Sequence, residues 1–178
     1  LSLHDALPIS ERADIYQNRG LAHLELGELE EAIADFDEAL LRDEDNVIVY
    51  QNRGLAYFQQ GEFEDAIEDF TSVIEREEDN ISAYIARGTA YQELDENENA
   101  IADYDVVIEE NPTADSIIYQ RGNAYYALGE LDDALVNYNA AIELNPESEL
   151  YFLNRGNVKF DQGFVQQAID DFRLALEL

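Results

Sequence analysis

The chain has 178 residues, of which 46% are hydrophobic and 29% charged, a composition typical of a folded protein with a core. Ten basic residues against 41 acidic ones give a formal net charge of -31, which argues against nucleic-acid and membrane-surface partners. Cysteine is absent, which excludes disulfides and cysteine-based metal sites. No apolar run approaches the roughly 18 residues of a membrane span, so we expect no membrane insertion. A soluble, cytoplasmic location is slightly favoured.

The two ends of the sequence indicate that it is a fragment. Residues 1–9 read like the translation of a common sequencing-library adapter, and we interpret them as a non-native segment without a functional role. The chain contains no methionine, and its last residues, 174–178, lie in the middle of an amphipathic pattern. We therefore expect further sequence to flank this piece in the full-length protein.

A fixed period of 34 residues runs through the rest of the chain. The dipeptide Arg-Gly recurs at that spacing, as do an alanine and an aromatic residue further along each unit. The series are Arg19-Gly20, Arg53-Gly54, Arg87-Gly88, Arg121-Gly122 and Arg155-Gly156; Ala32, Ala66, Ala100, Ala134 and Ala168; and Phe36, Phe70, Tyr104, Tyr138 and Phe172. Such a period is the signature of a repeat architecture, in which neighbouring units stack to bury a continuous core.

Each unit is predicted to contain two α-helices. In chain order the units are residues 13–46, 47–80, 81–114, 115–148 and a shorter last unit, 149–178. Apolar residues follow the i, i+3, i+4, i+7 spacing in both halves of each unit, and strand signals are absent. Between the two helices we expect a left-handed residue, which is Gly27, Gly61, Asp95, Gly129 and Gly163 in turn. Asn, Asp, Pro and Ser residues between units are expected to end one helix and cap the next.

Close helix crossing within a unit requires small residues at the contact. Gly54 is expected to lie opposite Ala66, with the aromatic residues filling the space between neighbouring helix pairs.

On these positions the sequence resembles the tetratricopeptide repeat family, over residues 13–178. The second unit carries the pattern as Tyr50, Gly54, Tyr57, Gly61, Ala66 and Phe70, and the fourth as Ile118, Gly122, Tyr125, Gly129, Ala134, Tyr138 and Pro146. The resemblance implies an all-α fold, a right-handed superhelical solenoid of tandem helix–turn–helix units that together form one domain. It also implies a concave groove, lined by the first helix of each unit, that binds a protein or peptide partner.

The chain departs from the family pattern at several positions. His23 and Lys159 stand where a tyrosine is usual, and we expect His23 to pack in the core. The family's solvating end helix is not found after the last unit. An exposed apolar face there would permit self-association through that repeat.

The recurring arginine is interpreted as a structural feature. An acidic or amide residue follows each arginine by 16 positions, directly before the aromatic residue of the second helix. Because the two helices run antiparallel, we expect each arginine to pair with that residue and to lay its methylenes over the adjoining aromatic ring. The alternative is contact with a partner. We call these residues the arginine ladder: Arg19, Arg53, Arg87, Arg121 and Arg155, with Asp35, Asp69, Asp103, Asn137 and Asp171.

Groove residues are transferred from the family resemblance by position. The set is rich in amides, aliphatics and aromatics and has no Lys or Arg, so a carboxylate clamp is not expected, and an apolar or mildly basic peptide is the favoured ligand. Some of its aromatic residues are alternatively expected only to pack on neighbouring repeats. The set is Asn18, Gln51, Asn52, Leu55, Phe58, Gln92, Tyr119, Asn123, Tyr126, Asn154, Asn157 and Phe160.

No motif points to catalysis, a metal or a cofactor. His23 is the only histidine outside residues 1–9, which excludes a His-based triad or zinc site. The run 95–99 begins like a calcium loop but lacks the required glycine and terminal glutamate. We therefore predict a non-catalytic interaction scaffold. The alternatives are a structural, self-associating role and the targeting arm of a larger multidomain protein.

Overall fold

The computed structural model describes residues 9–178, with side chains from residue 12 onward. This range contains ten α-helices and no strand, which confirms the all-α prediction. The helices are α1 (Ile9–Leu26), α2 (Leu29–Leu40), α3 (Val47–Gln60), α4 (Phe63–Arg76), α5 (Ile81–Glu93), α6 (Asn97–Glu110), α7 (Asp115–Ala127), α8 (Leu131–Leu144), α9 (Glu149–Asp161) and α10 (Val165–Glu177). The suspected non-native segment, residues 1–9, lies outside the described residues except for Ile9.

The turn within each helix pair has a left-handed residue, as predicted. The backbone φ angle is 74° at Gly27, 86° at Gly61, 77° at Gly129 and 82° at Gly163. Glycine enters this region at no steric cost because it has no Cβ atom. Asp95 occupies the same position between α5 and α6 with a φ of 59°, and it is the one non-glycine residue with positive φ in the described range.

The connections between helix pairs are capped only in part. The side chain of Asn46 accepts a hydrogen bond from the backbone N of Val49 at 3.2 Å, and Asn80 caps the backbone N of Ala83 at 3.2 Å in the same way. At the starts of α7 and α9 no side chain of the N-cap residue makes such a bond. The prediction of side-chain capping is thus confirmed for the first two connections and wrong for the later two.

The described residues divide into two compact units, an N-terminal unit that ends at Ala90 and a C-terminal unit that begins at Tyr91. In the first, Phe36 and Val49 lie in one cluster of buried residues, and Val73 packs with Ala83 in another. Both clusters join the second helix of one pair to the first helix of the next. Stacking of neighbouring pairs therefore buries the apolar faces that a single pair leaves exposed.

The C-terminal compact unit has the same kind of core. Tyr138 packs with Ala134 and Val158, while Ile118 packs with Ala141 and Tyr151. The five-unit boundaries predicted from the sequence stay a prediction.

The glycines in the first helices allow close approach of an aromatic ring. A Cβ atom added at Gly54 would lie 2.9 Å from Cε1 of Phe70, and one at Gly122 would lie 2.9 Å from Cε1 of Tyr138. The sequence had suggested Ala66 as the residue opposite Gly54, but the ring of Phe70 and the Cβ of Asp69 are nearer. The ring lies against the helix backbone, so glycine is required by the aromatic residue more than by the alanine.

Candidate protein-interaction surface

Three arginines of the ladder form bidentate ion pairs with an aspartate of the same helix pair. Arg53 donates from Nε and Nη2 to the carboxylate of Asp69 at 2.9 and 2.7 Å, and Arg155 does the same to Asp171 at 2.9 and 2.7 Å. Arg19 binds Asp35 at 2.6 and 2.5 Å. The aspartates are almost fully buried, so these pairs lie between the helices of each pair.

The other two ladder arginines, Arg121 and Arg87, make different hydrogen bonds. Arg121 makes a single bond from Nε to Oδ1 of Asn137 at 2.8 Å, because an amide offers one acceptor oxygen. Arg87 donates from Nη1 to Oγ1 of Thr71 at 3.0 Å, and Asp103 is buried. The pairing of Arg87 with Asp103 stays a prediction.

Each ladder arginine after the first has an additional acceptor in the preceding second helix, which the sequence analysis missed. Nη1 of Arg53 donates to Asp37, that of Arg121 to Asp105, and that of Arg155 to Asn139 at 2.8 Å. Thr71 is the corresponding acceptor for Arg87. The signal was present in the sequence, since positions 37, 71, 105 and 139 recur every 34 residues with hydrogen-bonding side chains. Arg53, Arg121 and Arg155 therefore each connect two neighbouring second helices through the first helix between them.

Guanidinium groups of the ladder lie near aromatic rings of their own helices. The guanidinium carbon of Arg53 lies 5.7 Å from the ring centre of Tyr50, three residues earlier in the same helix, and Arg155 lies 5.3 Å from Phe152. Contact of the arginine methylenes with the rings of the second helices stays a prediction.

Asp171 is held by two cations, unlike the other ladder carboxylates with described partners. Lys159 places Nζ 2.7 Å from Oδ2 of Asp171, in addition to the two bonds from Arg155. Burial alone would raise the pKa of Asp171, but the hydrogen bonds from Arg155 and Lys159 outweigh it and hold the pKa below its usual value. At Asp69, which is bound by Arg53 alone, burial dominates and the pKa is raised.

His23 is only partly buried, which corrects the expectation of a core residue. Its Nδ1 lies 2.6 Å from Oε2 of Glu28, and its side chain remains 28% exposed. The imidazole is shorter than the tyrosine usual at this position and has two polar nitrogens, so it lies where it can contact a carboxylate. Among the described residues no group of three or more His, Asp or Glu side chains is arranged to hold a metal ion.

Two predicted groove residues of the N-terminal compact unit, Leu55 and Phe58, line an apolar depression. Leu55 and Phe58 of α3, Ala86 and Thr89 of α5, and the edge of Phe70 line a cavity of about 200 Å³. Leu55 is 41% exposed, and Phe58 packs edge-on against Phe63 with ring centres 5.3 Å apart. The depression offers a water-exposed apolar site next to an aromatic ring.

The predicted groove amides of the N-terminal compact unit lie on α1 and α3. Asn18 is exposed, whereas Gln51 donates to Oγ of Ser82 at 3.2 Å and Asn52 donates to the backbone oxygen of Ile48 at 2.7 Å. The bonds of Gln51 and Asn52 are exposed, so a peptide backbone can compete for them.

In the C-terminal compact unit, several predicted groove residues are hydrogen-bonded to one another. The hydroxyl of buried Tyr138 donates to Oδ1 of Asn123 at 2.8 Å. Asn154 donates to the hydroxyl of Tyr119 at 2.7 Å and to Oδ1 of Asn123 at 3.2 Å, and Asn123 donates onward to Gln120 at 3.1 Å. This network holds α7, α8 and α9 together, so these side chains have a structural role in the absence of any ligand.

Two further predicted groove residues of the C-terminal compact unit, Tyr126 and Gln92, also form hydrogen bonds within the protein. Tyr126 donates to Asp161 at 2.6 Å, and the accompanying hydrogen bond raises the pKa of the Tyr126 phenol. Gln92 accepts from the hydroxyl of Tyr104 at 2.6 Å and donates to the backbone oxygen of Gln120 at 3.2 Å. Asn157 is partly buried and Phe160 is 57% exposed. Phe160 is therefore the most accessible aromatic of this set.

Repeated helix pairs with left-handed turns, buried aromatics and an exposed first-helix surface define a class of helical-repeat interaction proteins. Family models described as "TPR repeat" match residues 20–61 and 122–163, and models described as "Tetratricopeptide repeat" match residues 47–80 and 81–113. The chain belongs to the tetratricopeptide repeat family. The predicted fold class, an all-α solenoid of tandem helix–turn–helix units, is confirmed.

Solved structures with the same fold cover nearly the whole chain. A crystal structure of MamA protein is 27% identical, with a TM-score of 0.89, and the match covers 94% of this chain and 91% of that one. MamA 41-end from Desulfovibrio magneticus RS-1 is 20% identical, with a TM-score of 0.91, and covers 96% and 97%. YrrB, titled a TPR protein with an unusual peptide-binding site, is 23% identical, with a TM-score of 0.80, and covers 91% and 84%. A comparison with curated proteins gave no match.

Family membership supports a broad role. Tetratricopeptide repeat proteins bind protein or peptide partners, and membership of this family supports a protein-interaction scaffold. Across residues 9–178, none of the helices combines the length and apolar character needed to cross a membrane.

Proposed function

We propose that this chain is a non-catalytic scaffold that binds an apolar or mildly basic peptide segment on its first-helix surface. The anchor is the depression of the N-terminal compact unit, which Leu55 and Phe58 line together with Ala86 and Thr89. This depression is the observation that carries the proposal, because interface energy concentrates in a few apolar side chains that fill well-shaped pockets.

The preferred ligand chemistry follows from the side chains around the depression. The cavity is lined by carbon-rich side chains and by no charged residue. A chain with a net charge of -31 attracts positively charged segments and repels acidic ones over long range. A leucine or phenylalanine in the depression, with a basic residue nearby in the peptide, fits both features.

The predicted groove amides of α3 supply a second contact. Gln51 and Asn52 can exchange their exposed internal bonds for bonds to the backbone of an extended peptide, at little net change in hydrogen bonding. In the C-terminal compact unit, by contrast, internal hydrogen bonds would have to break before Asn123 or Asn154 could bind a ligand. We therefore assign the anchor to the N-terminal compact unit.

The proposal is tested with short fluorescent peptides that carry one central leucine and a positive, neutral or negative net charge. We expect the positive peptide to bind best, and Leu55→Gln to weaken its binding by about tenfold, since loss of an anchor side chain costs more than 1 kcal/mol. Leu144→Gln is the matched control, because Leu144 is 42% exposed at the end of α8 and does not line the depression.

Equal binding by the two variants would contradict the anchor assignment, and preference for the negative peptide would contradict the ligand class. Light scattering on the same samples addresses self-association. A particle that grows with concentration in the absence of peptide, with no peptide bound, would favour the structural alternative.

A further inference from the structure

The depression lined by residues of α3 and α5 has a polar counterpart in the C-terminal compact unit. Leu55, Phe70 and Ala86 line the depression together with Phe58 and Thr89. Two repeats further along the chain, the residues that correspond to the first three are Asn123, Tyr138 and Asn154. The same three positions of the repeat therefore carry hydrocarbon side chains in one place and hydrogen-bonding side chains in the other.

Hydrogen bonds join the three polar residues of the counterpart. The hydroxyl of Tyr138 donates to Oδ1 of Asn123 at 2.8 Å, and Nδ2 of Asn154 donates to the same oxygen at 3.2 Å. An amide is the usual residue at the position of Ala86, since the other four repeats have Asn18, Asn52, Gln120 and Asn154 there. Because Ala86 lines the cavity of about 200 Å³, a longer side chain at this position would extend into it.

The three polar groups of the counterpart are missing together at the depression. Phe70 has no hydroxyl, Leu55 has no acceptor oxygen and Ala86 has no amide. Among the described residues that line the depression, Thr89 alone has a polar side-chain atom, and its hydroxyl donates to the backbone oxygen of Ile85 at 2.8 Å. A ligand amide placed here would lose most of its hydrogen bonds to water without replacement, which is unfavourable, whereas a hydrocarbon group gains from burial.

We propose that Phe70 and Ala86 determine the specificity of the depression, so that it accepts one hydrocarbon side chain of the bound peptide and rejects an amide of similar shape. The inference rests on the proposed peptide-binding function and identifies the kind of side chain that the anchor site takes. Phe70 supplies a ring edge without a hydroxyl, and Ala86 leaves space without adding a polar group. Peptide charge then governs attraction over long range, while these two residues govern which side chain is buried.

The ligand-side test uses the unmodified protein, so it does not depend on how any variant folds. Three positively charged fluorescent peptides differ only at the central residue, which is leucine, asparagine or alanine. Leucine and asparagine are similar in size and shape. We expect the leucine peptide to bind about tenfold more tightly than the asparagine peptide, because only leucine gains from burial in the depression. The asparagine peptide should bind no better than the alanine peptide.

The outcomes separate this inference from the proposed function. Equal binding of the leucine and asparagine peptides would overturn the inference but leave peptide binding in place. Binding of none of the three peptides would contradict the proposed function, and this inference with it.

The protein-side test uses Ala86→Asn and the double variant Phe70→Tyr/Ala86→Asn, which introduce the polar residues of the counterpart. Both changes suit the fold, because four repeats have an amide at the position of Ala86, and the third and fourth repeats have tyrosine at the position of Phe70. Ala127→Asn is the matched control, since Ala127 is exposed at the end of α7 and does not line the depression.

The quantity measured is the ratio of the affinities for the leucine and asparagine peptides, which a general loss of stability would not change. We expect Ala86→Asn to reduce this ratio and the double variant to abolish the roughly tenfold preference, whereas Ala127→Asn should leave it unchanged. A preference that persists in the double variant would overturn the proposal. Weakening of both peptides by the same factor would also overturn it.

Discussion

Arg53 donates to Asp37 with one guanidinium nitrogen while its other two hold the buried carboxylate of Asp69. One side chain on α3 thus connects α2 and α4. The two acceptors differ in environment, since the side chain of Asp69 is 4% exposed and that of Asp37 is 50% exposed. The energetic weight of the arginine should therefore fall on the buried side.

This asymmetry gives a first prediction. Arg53→Ala leaves the carboxylate of Asp69 buried without its cation and should lower the free energy of unfolding by roughly 3 kcal/mol. Asp37→Asn removes an exposed pair and should lower it by about 0 to 1 kcal/mol. Urea denaturation measures both, with Arg173→Ala as the control. A similar loss for both variants would contradict a dominant role of the buried pair.

The close contact of Gly54 with the ring of Phe70 gives a second prediction. A methyl group at this position would lie 2.9 Å from Cε1 and would force the ring out of its packed position. We expect Gly54→Ala to lower the free energy of unfolding by about 1–3 kcal/mol, as overpacked cores do. The double variant Gly54→Ala/Phe70→Leu should show a favourable coupling in a double-mutant cycle. Strictly additive effects would mean that the ring does not limit this position.

The left-handed turn at Asp95 gives a third prediction. The other four turns have glycine, and Asp95 adopts the same conformation with a side chain that disfavours it. Asp95→Gly should therefore raise the stability by roughly 0.5–1 kcal/mol, measured as a higher Tm.

Gly129→Ala is the reciprocal variant. Nothing lies within 4 Å of a Cβ added at Gly129, so its destabilisation would report backbone strain alone. A lower Tm for Asp95→Gly would show that the aspartate side chain contributes more than its strained backbone costs.

Lys159 and Asp171 give a fourth prediction, on pH. The pKa of Asp171 is depressed in the folded state, so its stabilising contribution is present above its unfolded pKa and is lost as the pH falls through the folded value. Lys159→Gln should lower the free energy of unfolding at pH 7 by about 1–3 kcal/mol, since it removes a charged hydrogen bond.

At a pH low enough to protonate Asp171, the difference between Lys159→Gln and the unmodified protein should shrink. Denaturation in parallel at neutral and strongly acidic pH measures this. A difference independent of pH would mean that Lys159 stabilises the fold through packing of its methylenes and not through its charge.

The predicted groove residues show how far position alone predicts which side chains are accessible. Transfer by register found Leu55 and Phe58, which do line an open depression. The same transfer named Tyr119, Asn123 and Asn154, which are bound to one another and to Tyr138. Register fixes which helix face a residue occupies, but it does not say whether a neighbouring polar group already satisfies it. That depends on the side chains of two other helices.

The sequence by itself determined the helix pairs, their turns and the recurrence of the arginine ladder, because each depends on local backbone preference and on a period that the chain repeats five times. Only the tertiary structure decided that Gly54 faces Phe70, that Lys159 binds Asp171 and that Arg53 reaches back to Asp37. These contacts join helices through side chains whose directions follow from packing. A spacing in sequence gives the face of a helix, whereas a contact requires the distance and angle between two of them.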